Sequence, residues 1–354
     1  MVKPCVAVAM SGGVDSSVSA MMLVEQGYEV IGLGMHLPQP EEALNPGRCC
    51  GMQGMADAQH VADLLGIAFY ELDCRTAFEN QIIAPFCKAY AAGQTPSPCV
   101  WCNNIFKFGF LLDIAHSWGA NMLASGHYAR LDHLPDGWPV LRKGVDDRHD
   151  QSYFLFGVPA ERLRRLLFPL GTLHKGEVRQ MAQHKGLPVA DKPGSQDICF
   201  VGSQGYAALL AERQPQALQP GPILDIAGRV LGTHHGLGRY TIGQREGLGI
   251  AAPRPLYVIA IEPASNSLVV GPKDTITSES LQLRLVNWLL PNPPEGPLRV
   301  NIKTRYHGAE APAVVTVEGE GASVRFDAPQ PLAAPGQMAV FYEGDRVLGG
   351  GVIC

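Results

Sequence analysis

Two hydrophobic rhythms run through the N-terminal half of the chain. A continuous apolar run at 5–9 predicts a buried parallel strand. The apolar-periodic segment 18–26 behind it predicts a helix ended by Gly27. The same reasoning predicts strands over 28–35, 68–72 and 122–125. It predicts helices over 55–65, 77–92 (broken or offset at Pro85), 104–118 and 171–186. Segments 37–54 and 93–102 are rich in Pro, Gly and Cys and read as loops. Strands alternating with helices indicate a parallel sheet covered on both faces. Ligands of such sheets sit at the carboxyl ends of the strands. The loop after the first strand, Met35 and the turn Ser125-Gly126-His127 all lie at such ends and can converge.

The texture changes near Gln214, after a short helix at 205–213. To about Lys273, glycine is frequent and strands are short, as at 229–232 and 256–261. From about Leu281, Val/Ile/Leu-rich runs alternate with Pro and Gly turns and end in 338–342 and 347–352. That is an all-β texture, a small barrel or sandwich. These changes of texture divide the chain at about 205 and 275.

Composition narrows this further. With 354 residues, 46% hydrophobic and 17% charged, the chain has ample core for two or three domains. No apolar run approaches a membrane span, and the N-terminus shows no signal-peptide pattern, so a cytoplasmic enzyme is expected. The net charge is −5 and neither half is broadly basic, so any nucleic-acid contact must rest on local patches. Nine cysteines, an odd number, argue against a disulfide framework: Cys5, Cys49, Cys50, Cys74, Cys87, Cys99, Cys102, Cys199 and Cys354.

The stretch Met10-Ser11-Gly12-Gly13-Val14-Asp15-Ser16-Ser17 stands between the first strand and the first helix. Paired glycines let the backbone approach a ligand, serines add hydroxyls, and the helix start offers unpaired N–H groups. That is an anion site, most naturally for phosphate; the plain alternative is an ordinary strand-to-helix turn. The Gly-Lys-Ser/Thr ending of a Walker loop and the dinucleotide fingerprint spacing are both absent. Cys99 and Cys102 form Cys-x-x-Cys before a helix expected near Asn104. A redox pair, a zinc site, a thiolate catalyst and two inert loop cysteines are the open readings. Cys199, taken alone, reads as a buried structural cysteine.

Ser-Gly-Gly-Val-Asp-Ser-Ser resembles the PP-loop of the ATP pyrophosphatases, with their adenine nucleotide alpha hydrolase-like fold. Further motifs resemble the tRNA-specific 2-thiouridylases of the MnmA/TrmU type. They are Gly93-x-Thr95-Pro96-x-Pro98-Cys99-x-x-Cys102-Asn103-x-x-x-Lys107-Phe108, Ser125-Gly126-His127-Tyr128-Ala129-Arg130, Asp150-Gln151-Ser152-Tyr153-Phe154-Leu155 and Ser195-Gln196-Asp197-Ile198-Cys199-Phe200. The 236–249 segment, Arg305-Tyr306 and the Gly336-Gln337-x-Ala339-Val340-Phe341-Tyr342 end fit the same pattern, so the motifs run in family order from residue 9 to about 350.

The resemblance implies an α/β PP-loop catalytic domain over 1–205, a small central domain over 206–275 and a C-terminal all-β barrel domain over 276–354. It implies ATP-dependent replacement of the C2 oxygen of the tRNA wobble uridine by sulfur. It implies ATP contacts at Ala9, Met10, Ser11, Gly12, Gly13, Val14, Asp15, Ser16, Met35 and Gly126, with Mg2+ accompanying the nucleotide. Cys102 would be the nucleophile and Cys199 the persulfide carrier, loaded by a sulfur-relay protein or a cysteine desulfurase. Ser97, Pro98 and Cys99 would flank the target base. His127, His149, Asp150, Gln151, Arg305, Tyr306 and Gln337 would contact tRNA. Adenylation would turn the C2 oxygen into a leaving group, and sulfur transfer would leave the two cysteines as a disulfide for an external reductant. The sequence departs from the pattern at Ser97 (often Asn), Cys99 (Asp in some members), Phe106 (aliphatic) and His149 (commonly Lys). Two other readings are a PP-loop ligase acting on a small molecule, and an RNA-binding or sulfur-carrier protein with a degenerate nucleotide site. Residues 214–354 contain no recognisable ammonia-generating or amino-acid-binding module, and the Ser11–Ser17 run is intact.

Overall fold

The computed structural model describes residues 4–38, 52–194 and 198–354. Cys49, Cys50 and Ser195-Gln196-Asp197 lie outside the described residues. Five parallel strands form the first sheet: β1 (Cys5–Ala9), β2 (Glu29–His36), β3 (Ala68–Asp73), β4 (Met122–Ala124) and a short strand, Leu166–Leu167, in the order β3-β2-β1-β4-(166–167). β1 is central and almost wholly apolar, with Val6, Ala7 and Val8 fully buried. The strand order reverses between β1 and β4, and a crevice for a ligand opens beyond the carboxyl ends of strands at such a point.

Helix α1 (Val14–Glu25) packs on this sheet with Val14, Val18, Met21 and Leu23 buried. Its core-facing serines are tolerated because each satisfies itself locally. Ser17 Oγ donates to the Gly13 carbonyl (2.9 Å) and Ser19 Oγ to that of Asp15 (2.9 Å). A Schellman pair ends the helix, Gly27 N–H to Val24 O and Tyr28 N–H to Leu23 O.

Helix 75–91 is continuous but widens into i→i+5 turns over Glu79–Ile83, just ahead of Pro85. Proline has no N–H and crowds the carbonyl four residues back, so the ladder loosens there. Helix α2 (Met52–Leu65) covers β2 and β3. The helix expected over 171–186 is confined to Lys175–His184.

After β4 the chain departs from the expected alternation. It makes a hairpin of β5 (Ala129–His133) and β6 (Pro139–Lys143) that leaves the parallel sheet altogether. The hairpin joins the last sheet of the molecule. Six antiparallel strands close that sheet: Thr277–Trp288, Leu298–Lys303, Ala311–Glu318, Gly321–Pro331, Met338–Glu343 and Arg346–Ile353. The first of these pairs with both the fourth and the sixth, which makes a barrel. β6 then hooks onto the outermost turn of the sixth strand at Arg346. Asp345 fastens this join, accepting from Arg130 (2.5 Å) and Arg142 (2.7 Å). The barrel core is aliphatic with Phe326 and Phe341. Between the two large units, four short strands (Gly221–Leu224, Val230–His234, Tyr257–Glu262 and Ser267–Gly271) form a separate small sheet.

Candidate active site

The PP-loop-like stretch begins where β1 ends. Gly12 has φ +72°, and a β-carbon there would meet the Gly54 carbonyl oxygen at 1.9 Å, so only glycine passes. Gly13 caps α1 without a side chain. The first helical hydrogen bond is Ser17 N–H to Gly13 O, which leaves the N–H groups of Val14, Asp15 and Ser16 directed out of the helix end. Ser16 Oγ accepts from Ser11 N–H (3.3 Å) and donates to Gly13 O (3.1 Å). The Ser16 and Ser17 hydroxyls therefore shape the loop, and the backbone amides of 14–16 are the donors left facing outward. Gly126 lies directly against this turn. Met35, at the end of β2, packs against both the central core and the aromatic cluster that holds the cysteines.

The helix expected from Asn104 starts instead at Pro98, with Ser97 at the N-cap position and no side-chain capping bond. Proline is well suited to a first helical position, where its missing N–H costs nothing. Cys99 thus sits in the first turn. Cys102 follows one turn later, its N–H bonded to the Cys99 carbonyl, where a run of i→i+5 turns over Cys102–Leu111 begins. Cys102 and Cys199 are both half-buried and pack against one cluster that includes Phe78, Phe86, Phe106 and Phe200. Phe78 and Phe106 meet edge to face (5.2 Å), as do Phe86 and Phe200 (5.2 Å). Cys99 is exposed to solvent. Desolvation pushes its thiol up and the Lys107 charge opposes that. Lys107 also acts on His127, which is buried beneath Phe108 and Phe168 with Nδ1 paired to Ser125 Oγ (2.8 Å). Burial first, then Lys107, hold the His127 pKa well below the usual imidazole range. Among the described residues no three His, Cys, Asp or Glu side chains are grouped to hold a metal ion.

The loop 93–95, just before the cysteines, is the junction of all three units. Thr95 N–H donates to Pro335 O (2.7 Å) next to Gln337, and Gly336 packs on Gln94 and Thr95. The Thr95 hydroxyl meets Thr241 (3.3 Å), and Gly93 lies against Ile261 and Pro263. On the other side, Tyr306 packs on Phe154 (4.4 Å) beside exposed Arg305. Gln151 brackets Tyr128 with two bonds, Tyr128 N–H to Gln151 Oε1 (3.0 Å) and Gln151 N–H to Tyr128 O (2.9 Å). His149 is exposed. Asp150 is buried, and its oxygens accept from Gly144 N–H, Ser152 N–H and Ser152 Oγ. Its side chain fixes the loop from within and presents no surface contact.

Three family models cover almost the whole chain: a "tRNA methyl transferase HUP domain" over 4–203, a "tRNA methyl transferase PRC-barrel domain" over 208–272 and an "Aminomethyltransferase beta-barrel domain" over 278–353. The tRNA-specific 2-thiouridylase of Magnetococcus marinus is 47% identical over 353 residues, covering 98% of each chain. That of Pelotomaculum thermopropionicum is 45% identical over 358 residues, covering 100% of this chain and 98% of the relative. The chain belongs to the tRNA-specific 2-thiouridylase family. Among solved structures, an NMN synthetase from Francisella tularensis is similar at 18% identity, with a TM-score of 0.35 over 55% of this chain and 67% of that one.

For a member of the 2-thiouridylase family, the surroundings of the loop hold charged residues that no motif announced. Lys175 Nζ reaches both Asp15 oxygens (2.5 and 2.6 Å), and Tyr128 OH donates to Oδ1 (2.7 Å). Lys192 Nζ bridges the Gly12 carbonyl (3.0 Å) and Asp57 (2.6 Å), tying the loop to α2. Both lysines are isolated in the sequence, and only the fold delivers them to residues 12–15.

Proposed function

We propose that the protein is the enzyme that 2-thiolates the wobble uridine of tRNA, using ATP and a sulfur atom delivered as a cysteine persulfide. The observation that carries the reading is the placement of two distant thiols, Cys102 and Cys199, on one aromatic cluster that Met35, at the end of β2, joins to the core around Ala7 of β1.

ATP supplies the activation that makes the C2 oxygen a leaving group. The amides of Val14, Asp15 and Ser16 receive its phosphates, aided by the dipole of α1. Gly12 and Gly126 fit the role, because the space beside each admits no side chain. The Asp15 carboxylate is already engaged by Lys175 and Tyr128, so magnesium would be held chiefly by phosphate and water, its usual mode with nucleotides. On the sulfur side, the Cys102 thiolate attacks the Cys199 sulfur of the persulfide. A Cys102–Cys199 disulfide forms and hydrosulfide leaves with the electron pair. Hydrosulfide takes the place of the activated oxygen at C2, and an external dithiol then reduces the disulfide. The base must leave its stack to reach this site. Residues 97–99, His127, 149–151, Arg305, Tyr306 and Gln337 would receive the tRNA, with the buried His127 and Asp150 acting through the segments they brace. Among the described residues no helix is long and apolar enough to cross a membrane.

The test combines protein, ATP, a cysteine desulfurase with cysteine, and an unmodified tRNA transcript, followed by nucleoside analysis. The expected product is 2-thiouridine, with AMP and pyrophosphate. Thiolation at the normal rate by Cys199→Ser would sink the persulfide assignment. Adenylation of a small molecule without tRNA would favour a ligase.

A further inference from the structure

Lys175 and Asp146 lie outside every motif, yet they join the nucleotide loop to the loop at 149–151. The Lys175 ammonium holds Asp15, while its backbone N–H donates to Asp146 Oδ2 (2.9 Å). The same Asp146 oxygen pairs with His149 Nδ1 (3.0 Å), and Oδ1 accepts from Arg148 N–H (3.2 Å). Asp146 is buried. Desolvation pushes its carboxyl up, but the bonds from Lys175, His149 and Arg148 prevail and hold it low, so it bridges as a carboxylate. A second route runs in parallel, from Asp15 to the Tyr128 hydroxyl and from the Tyr128 backbone to Gln151. Asp15 is therefore two residues away from His149 by one route and one residue away from Gln151 by the other.

We propose that Lys175 is a phosphate-binding and positioning residue whose backbone, through Asp146, makes ATP binding at 9–16 and tRNA binding at 149–151 mutually reinforcing. The inference rests on the ATP and tRNA sites of the proposed function. A triphosphate on the amides of 14–16 would bring several negative charges beside Asp15. Lys175, only 13% exposed and already at that carboxylate, is the cation placed to be shared between them. Its main chain cannot shift freely while Asp146 holds its N–H. A phosphate that fixes Lys175 therefore fixes Asp146 and His149, and tRNA contact at His149 fixes Lys175 in return. Such coupling is reciprocal by thermodynamic necessity.

The experiment measures binding of α,β-methylene-ATP by calorimetry, with and without saturating unmodified tRNA. In the wild type, tRNA is expected to tighten the analogue by at least about 5-fold, the low end of ordinary coupling. Lys175→Met should weaken the analogue about tenfold, the loss of one charged hydrogen bond, and lower the coupling factor to what the Tyr128–Gln151 route alone sustains. Lys175→Arg should restore part of both. Asp146→Asn keeps the ammonium in place, so it should lower the coupling factor as Lys175→Met does, with a smaller loss of affinity. Asp146→Asn and Lys175→Arg carry the test if the methionine variant does not give a wild-type circular dichroism spectrum. Wild-type affinity in Lys175→Met, or a wild-type coupling factor in Asp146→Asn, overturns the proposal. A wild type that binds neither analogue nor tRNA overturns the proposed function itself.

Discussion

A β-carbon on Gly126 would stand 2.7 Å from the Asp15 carbonyl carbon and 2.8 Å from the Ser16 nitrogen. The turn after β4 thus rests on the first turn of α1, and the obstacle is backbone, which cannot swing aside. Gly126→Ala should displace the amides proposed to receive phosphate. ATP-analogue affinity should fall at least about tenfold, with a stability loss of about 1–3 kcal/mol from overpacking. Calorimetric titration and a denaturant melt check both. An alanine variant that binds nucleotide as tightly as the wild type would place the nucleotide elsewhere.

The two thiols should separate by task. After incubation with a desulfurase and cysteine, mass spectrometry should find one added sulfur on Cys199 in the wild type and in Cys102→Ser, and none at that position in Cys199→Ser. Both variants should lose thiolation by on the order of 10³-fold or more, as when a covalent participant is removed. Persulfide on Cys102 in place of Cys199 would reverse the two roles.

His127 makes stability depend on acid. Burial and then Lys107 hold its folded pKa well below the unfolded value. Below about pH 6.5 the unfolded chain takes up a proton that the folded chain refuses, so stability falls as pH falls, by up to about 1.4 kcal/mol per pH unit. The loss continues down to the folded pKa. His127→Gln should remove this component, giving a shallower slope of unfolding free energy between pH 6.5 and 5. An identical slope in the variant would show that other groups cause the dependence.

Gly93 holds φ +72°, and a β-carbon there would lie 3.0 Å from both Ile261 Cγ2 and Pro263 Cγ. Gly93→Ala combines left-handed strain of about 1–2 kcal/mol with pressure on the small sheet. The midpoint of thermal unfolding should drop, and protease should cut the 214–272 region sooner. A variant with the wild-type melt and digestion pattern would show that the junction yields freely.

The parallel-sheet half was legible because its signals are local. The apolar run at 5–9 became β1 with the same bounds, and the glycine pair became the loop. Pro98 misled, since a proline after Pro96 reads as loop although it is also a good helix opener. The hairpin at 129–143 went unseen because Asp132, His133 and Arg142 dilute its pattern and its outer partner, Arg346, is remote in sequence. The two cysteines could be singled out by type, but their shared aromatic cluster is a product of folding. Lys175, Lys192 and Asp146 are ordinary surface residues by sequence. Asp150 carries a charge that suggests exposure, and only the structure shows it buried and fully engaged.

The bond from Arg142 to Asp345 spans 203 residues. A ribosome delivers Gly126, His127 and the 149–151 loop long before it delivers the strand on which their hairpin is hung. Until then β6 is an unfinished edge, open to the wrong neighbour. Folding of the nucleotide-binding half is thereby tied to completion of the barrel, and such distant pairings form slowly. A polypeptide cut short between Cys199 and Asp345 would possess every residue proposed above to bind the triphosphate or carry sulfur and still lack the brace for the segment between them.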